Sequence, residues 1–355
     1  MLFCLNLHKR PKYLLTKISK IARFILLLLF FSIGLLYIIF KSEPVQTWLV
    51  QKATNFLSSE LGTKVKIGSV DIDFFKTAVL ENVFIEDQHQ DTLFYFRNLK
   101  LDYNSYDKIR KKININSISI YGGKIRIGEH KGDSVLNYEF LVDYFNGGPR
   151  DPNKPKVVWT IFSKKFTLYN TRFDYFSRNS PKPDFMDFNY NDMSYKDING
   201  NIEDFYLIDD SLHFQIKHLE TTEKCGLKVL DFVADTKIHE GGISFNKMTL
   251  ATENTLLKNY FEMVTKDWKD YGDFNHKVYL KGNLNDSKID SKDLHYFSNY
   301  LKQYATQINM TGKAEGYVSR LKVKDSYIKM FDKTEYEGNF TITGLPNVDD
   351  ALMEF

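Results

Sequence analysis

The chain has 355 residues, 43% hydrophobic and 26% charged, a globular balance that excludes a disordered protein and allows one long β domain or two smaller ones. Aromatics are abundant (22 Tyr, 29 Phe) and Pro is scarce (8), a mix that favours strands. Six basic residues and no acidic one fall within residues 1–40; removing them from the 48 basic residues leaves 42 against 45 acidic, a near-neutral body without a nucleic-acid footprint.

Phe24 to Phe40 is a run of seventeen uncharged residues that includes Leu28, Phe31, Leu35 and Ile39. As a helix it spans about 26 Å, slightly short for a hydrocarbon core, and Arg23 and Lys41 at its ends suit snorkelling. A core helix is rarely apolar on every face, and a cleaved signal needs a small-residue site, whereas Lys41-Ser42-Glu43-Pro44 follows. The run therefore reads as a retained single-pass anchor. The basic flank Lys9 to Arg23 puts the N-terminus in the cytoplasm and the body across the membrane. Cys4 and Cys225 then lie on opposite sides, which excludes a disulfide framework.

A second helix is expected over residues 43–61, with Pro44 in its first turn and Gly62 at its end. Val45, Trp48, Leu49, Ala53, Phe56, Leu57 and Leu61 form one apolar stripe. The stripe fits a plug on the end of a β domain, or a helix flat on the bilayer with Trp48 at headgroup level.

From Lys64 the period changes to two. Val65 and Ile67 alternate with lysines; after Gly68-Ser69 the phase slips, and Val70 and Ile72 alternate with aspartates, a bulge signal. Further strands are expected at 79–85, 93–103, 113–121 and 124–127, with Leu99, Leu101 and Tyr103 on one side of theirs. Residues 146–156, rich in Pro and Gly, read as a loop or linker. Strands resume at 157–162, 166–169, 172–176, 212–217, 226–232, 242–250, 275–280, 307–311, 314–323, 327–331 and 338–343. Helices are expected at 256–265 and 293–304. Asn82, Asn98 and Asn170 each open an alternating stretch, either a decayed repeat or turn residues before strands. Most strands carry one apolar face and few helices are available to cover it. Such a sheet must close, sandwich or leave an apolar trough.

No phosphate-binding glycine loop and no G-x-S-x-G nucleophile elbow is present. His213 and His218, five apart on an expected strand, point by parity to opposite faces and make a poor metal pair. Asp209-Asp210 and Asp349-Asp350 read as turn carboxylates, and Cys225 as a structural thiol. A glycan-cleaving enzyme would need clustered carboxylates that no motif supplies. Neither catalysis nor a cofactor is expected.

The order of parts carries a resemblance. After the anchor come Pro44-x-x-x-Trp48-Leu49, Ala53-Thr54-x-Phe56-Leu57-Ser58, Leu61-Gly62-x-x-Val65-x-Ile67-Gly68-Ser69-Val70-Asp71-Ile72, and Leu80-Glu81-Asn82-Val83-Phe84-Ile85-Glu86-Asp87 leading to Asp91-Thr92-Leu93. Later pieces are Lys224-Cys225-Gly226-Leu227, Asp293-Leu294-x-x-Phe297, Met310-Thr311-Gly312 and Gly338-Asn339-Phe340-x-Ile342-x-Gly344-Leu345-Pro346. The sequence resembles the AsmA-like proteins, most of all the TamB branch of Bacteroidetes-type bacteria, strongest over residues 42–103; Cys225 replaces that branch's usual Ser. The resemblance implies a mainly β, long, curved, groove-forming, antiparallel-rich sheet, held in the inner membrane and reaching into the periplasm. It also implies a chain far longer than 355 residues, of which this would be an N-terminal portion.

The organisation expected is a basic tail (1–23), transmembrane helix (24–41), amphipathic helix (43–61), N-terminal β domain (62–145), linker (146–156) and groove continuation (157–355). The function implied is conduction of phospholipid acyl chains towards the outer membrane. Its alternative is assembly or translocation of outer-membrane or secreted proteins through a barrel partner. Val65, Ile67, Val70, Ile72, Leu99, Leu101 and Tyr103 are the candidate groove lining, chosen by alternation.

Overall fold

The computed structural model describes residues 28, 31–32, 42–73, 76–146, 148, 158–179, 187–209, 211–303, 305–331 and 334–355. Of the expected anchor, Leu28, Phe31 and Ser32 are helical; Arg23, Phe24, Leu35, Ile39 and Lys41 fall outside the described residues, as does most of the linker. Among the described residues no helix is long and apolar enough to cross a membrane.

The protein is mainly β. Helix α1 (Glu43–Leu61) has Pro44 in its first turn and ends at Gly62, whose φ of 62° is the left-handed conformation that glycine adopts without cost. Strands β1 (Val65–Lys66), β2 (Ser69–Asp73), β3 (Thr77–Glu86), β4 (Thr92–Asp107) and β5 (Lys112–Glu129) follow, then helix α2 (Glu139–Asn146). Next come β6 (Thr160–Ser177), β7 (Asp192–Ile208), β8 (Ser211–Glu223), β9 (Lys228–His239), β10 (Gly242–Thr252) and β11 (Leu256–Val264). A 3-10 turn (Trp268–Asp273) and α3 (Phe274–Lys277) lead into β12 (Tyr279–Asp290). Helix α4 (Ser291–Leu294) and a 3-10 turn (Asn299–Gln303) precede β13 (Gln307–Tyr317), β14 (Arg320–Met330), β15 (Thr334–Thr343) and β16 (Leu352–Glu354).

All strands belong to one open, curved 16-stranded sheet in chain order, with β1 and β2 both laid along β3. At the edges, β16 pairs with β15 alone and β1 and β2 with β3 alone, so the sheet does not close on itself. Neighbours are antiparallel except β5 and β6, which run parallel. A parallel pair needs a long crossover, and the segment carrying α2 supplies it. The expected boundary near residue 146 therefore does not divide the sheet: β5 and β6 pair over most of their length.

The curvature has a local cause. Asn82, Asn170, Asp197, Asp204, Asp286, Asp325 and Lys247 all sit inside strands with φ between 46° and 53°. Asn and Asp tolerate this conformation better than other side-chain-bearing residues. Each is the third residue of a quartet whose first and fourth members point to the same face, as in Leu80–Val83, Leu168–Thr171, Phe245–Met248 and Val323–Ser326. Gly122 (φ 64°) does the same for Ile120 and Gly123. A Cβ on Gly123 would lie 2.7 Å from Ile120, 3.0 Å from Thr171 and 3.3 Å from Phe96, which puts these residues on one face. An extra residue bends the strand, and skipping it keeps the apolar set on its own side.

These kinks explain where the expected elements differ. The stretches 113–121 and 124–127 are one strand, β5, kinked at Gly122; 166–169 and 172–176 join into β6 across Asn170. Asn82 and Asn170 are thus mid-strand kinks, not turn residues. The helix expected at 256–265 is β11: Asn259 (φ 98°) resets the alternation, so Leu257, Tyr260, Phe261 and Val264 mimic helical spacing. The strand 275–280 begins only at Tyr279, after α3. The strand 314–323 is cut by a turn at Val318-Ser319, and the helix 293–304 is two short pieces. The phase slip at Gly68 falls in the break between β1 and β2, where the Gly68 N–H donates to Glu81 O.

Helix α1 turns Val50 and Thr54 inward, with Leu57 and Leu61 half-buried on the same side, and leaves Trp48, Leu49 and Phe56 exposed, so only part of the apolar stripe packs on the sheet. Lys247 is the one kink residue in this set that is neither Asn nor Asp. Lys247→Gly is expected to raise stability by about 0.5–1 kcal/mol, and Lys247→Val to lower it by more than ~1 kcal/mol, read as urea midpoints at unchanged slope.

Candidate functional site: an apolar face along the sheet

Directly paired residues share a face, so the ladders define what each side presents. One row runs Tyr106–Ile113–Ile161–Leu207–Leu212–Ile238 across β4 to β9. It continues Ile243–Met263–Leu280–Gly316–Leu321–Ile342–Met353 to β16. No charged residue interrupts it. The row one residue away, on the other face, is Ser105–Asn114–Phe162–Tyr206–His213–Lys237–Ser244–Glu262–Lys281–Glu315–Lys322–Thr341–Glu354, mostly polar and charged.

Two parallel apolar rows lie beside the first: Ile72–Ala78–Leu101–Ile118–Phe166–Ile202–Ile216–Ala234, and Val70–Leu80–Leu99–Ile120–Leu168–Gly200–Leu219. Phe166, Phe205 and Phe214 form a run of stacked rings on this side, with centroids 5.8 and 6.0 Å apart. Buried hydroxyls of Thr171, Thr236, Ser287 and Ser326 are its small polar interruptions. At about 4.8 Å between strands the longest row extends roughly 55–60 Å. Along it Tyr106 and Met353 are exposed, Gly316 is buried and the rest are half-buried, while Ile120, Ile202, Ile216 and Ala234 beside it are buried, so the face is open to water only in part.

The residues chosen by alternation fall on this face in part as half-covered side chains. Leu99, Leu101 and Val70 are half-buried, Ile72 and Tyr103 are exposed, and Tyr103 pairs with Ile115. Val65 is buried where Ser58 Oγ on α1 accepts its backbone N–H at 2.9 Å. Ile67 is half-buried in the break between β1 and β2. The larger part of the face, β6 to β16, lies beyond those residues.

Elsewhere, one polar cluster is buried and held by hydrogen bonds. Asp87, 1% exposed, follows the end of β3. Its Oδ1 accepts the backbone N–H groups of His89 and Asp91, both at 2.9 Å. Its Oδ2 meets His130 Nε2 and Asn137 Nδ2, both at 2.9 Å. Asp91 Oδ2 accepts from Arg126 at 2.7 Å. Asp87, Asp91 and His130 are close enough to ligate a cation, but Asp87's lone pairs are already committed to knotting the β3–β4 turn to the end of β5. Nothing in the local sequence announces this knot, since Asn137 lies fifty residues from Asp87.

His213 and His218 do not lie on opposite faces. His213 meets Asp235 at 2.8 Å and His218 meets Asp231 at 2.7 Å, carboxylates an even number of residues apart on β9. Irregular β7–β8 pairing between them breaks the parity rule. Asp209 sits in the β7–β8 turn with φ 60°, and Asp349 and Asp350 in the 3-10 turn before β16; Asp210 is outside the described residues.

Comparison with protein-family models, with curated proteins and with solved structures returns no match.

Burial alone would raise the Asp87 carboxyl, but the hydrogen bonds from Asn137, His130 and two backbone N–H groups outweigh it, holding it below the ordinary carboxylate range. A depressed folded pKa gives stability that is complete above the unfolded value, about 3.9, and is lost as pH falls through the folded one. Asp87→Asn is therefore expected to flatten the acid side of the melting-temperature profile below about pH 4 while lowering stability at pH 7. The Cys225 thiol, in the β8–β9 turn, is pushed up to about 12 by burial and by the Glu223 carboxylate. Its maleimide labelling at pH 7 is expected to run about a thousandfold slower than a free thiol's and to rise steadily into alkaline pH.

Proposed function

We propose that the protein conducts the acyl chains of phospholipid along the apolar face of its sheet. In this reading it is held in a bacterial inner membrane by Phe24–Phe40, with the N-terminus cytoplasmic and the sheet in the periplasm. The observation that carries the proposal is the uncharged row from Tyr106 to Met353 on a sheet that does not close. Its length, roughly 55–60 Å, exceeds one acyl chain severalfold, since a whole bilayer core is about 30 Å. Each methylene withdrawn from water contributes about 0.8 kcal/mol, so some ten methylenes laid on the row are worth about 8 kcal/mol before the chain's ordering cost.

A continuous apolar track lets a chain slide from strand to strand without returning to water, while the charged row behind it keeps the molecule soluble. The resemblance of residues 42–103 to the AsmA-like proteins supports the same reading. No nucleotide loop or nucleophile elbow in the sequence competes with it.

The test is transfer of a fluorescent phospholipid between vesicles by the purified full chain. The double variant Leu101→Asp, Leu207→Asp places carboxylates on the apolar face and is expected to lower transfer at least about tenfold, because a charge there resists desolvation. The pair Lys237→Asp, Lys281→Asp on the other face is expected to change it less than about twofold. Circular dichroism establishes that each variant is folded. Wild-type transfer by a folded Leu101→Asp, Leu207→Asp protein would sink the proposal.

A further inference from the structure

Helix α1 turns one side to the sheet, where Val50 and Thr54 are buried and Leu57 and Leu61 half-buried, and carries three large apolar side chains elsewhere. Trp48 is 56% exposed, Phe56 58% and Leu49 41%. At 100° per residue, Leu49 and Phe56 fall on one side of the helix, well away from Val50. Helix α2, which touches α1, exposes Val142 and, three residues on, Phe145 at 62%. Neighbouring helices at this end of the sheet thus both present exposed apolar side chains.

The chain before α1 says what covers them. The uncharged run ends at Phe40, and only Lys41 and Ser42 separate it from α1. A link that short holds the start of α1 within about 10 Å of the end of the run. If the run crosses a bilayer, the start of α1 lies at its surface, and a helix lying flat there would bring Phe56 to it as well. Trp is favoured at that depth, and the exposed Lys52, Lys64 and Lys66 match anionic headgroups.

We propose that α1 and α2 together form a foot that rests on the bilayer, with Trp48, Leu49, Phe56, Val142 and Phe145 inserted about 5–10 Å into the headgroup–acyl boundary. The foot would fix the β1–β4 end of the apolar face at the lipid surface. The proposal depends on the anchor and not on lipid conduction, and its test does not measure transfer.

The full chain is reconstituted in nanodiscs of phosphatidylethanolamine and phosphatidylglycerol, with Cys4→Ser and Cys225→Ser as background. Single spin labels are placed through Phe56→Cys, Phe145→Cys and, on the outer row, Lys237→Cys. Labels at 56 and 145 are expected to be more accessible to oxygen than to a water-soluble nickel chelate, and the label at 237 the reverse. In a second protein with Trp159→Phe and Trp268→Phe, Trp48 is expected to be quenched by brominated lipid without any change to the foot.

Labels at 56 and 145 as open to the chelate as that at 237, together with an unquenched Trp48, overturn the proposal. So does insertion of residue 56 without residue 145, which would leave α1 alone on the membrane. Dipolar broadening of both labels in discs holding two copies overturns it as well, because the patch would then be covered by a second copy of the chain.

Discussion

A sheet with one greasy side must hide that side from water, and the usual means are a second sheet, a layer of helices or closure into a barrel. Here all strands enter one open sheet, and the helices among the described residues are few and short beside it. The apolar side is therefore covered only in part by the protein itself, while the other side is held in water by rows such as Glu262–Lys281–Glu315–Lys322. Surface ion pairs of that kind add little to stability. Their effect is to make one side a surface that water keeps, and so to make the two faces chemically unlike.

Keeping the faces distinct over so many strands is harder than it looks. The strands are long, and a long twisted strand in a bending sheet falls out of step with its neighbours. The quartets ending at Val83, Thr171, Met248, Ser287 and Ser326 solve this by inserting a left-handed residue, which bends the strand and restores the inward phase. The choice of Asn or Asp at nearly every such point follows from backbone conformation, not from chemistry at the side chain. Four aspartates, Asp197, Asp204, Asp286 and Asp325, thus serve as kink formers, and Asp87 as the acceptor of a knot.

The same devices decide what was legible in the sequence. Helix α1 could be bounded from Pro44 and Gly62, because its ends depend on local rules alone. Strand β10 could be read from unbroken apolar spacing up to Phe245. Strand β7 could not: Asp197 and Asp204 break its alternation twice, and no period survives in Asp192–Ile208. Strand β11 resembled a helix because Asn259 resets its phase. The parallel pairing of β5 with β6 depends on contacts across some fifty residues, and short-range patterns are blind to it. For the apolar face, Leu99, Leu101, Val70 and Ile72 were visible as local alternation, whereas its continuity from Tyr106 to Met353 exists only in the ladder register.

The most direct measurement is where a lipid chain touches the protein. The purified full chain would be irradiated with a fatty acid bearing a diazirine along its tail, and the labelled residues mapped by peptide mass spectrometry. Labels on the row from Ile113 through Leu212 to Ile342, and none on the row from Asn114 through His213 to Thr341, are the expected result. Equal labelling of both rows, or none on either by a folded protein, would contradict an open apolar face built to hold acyl chains.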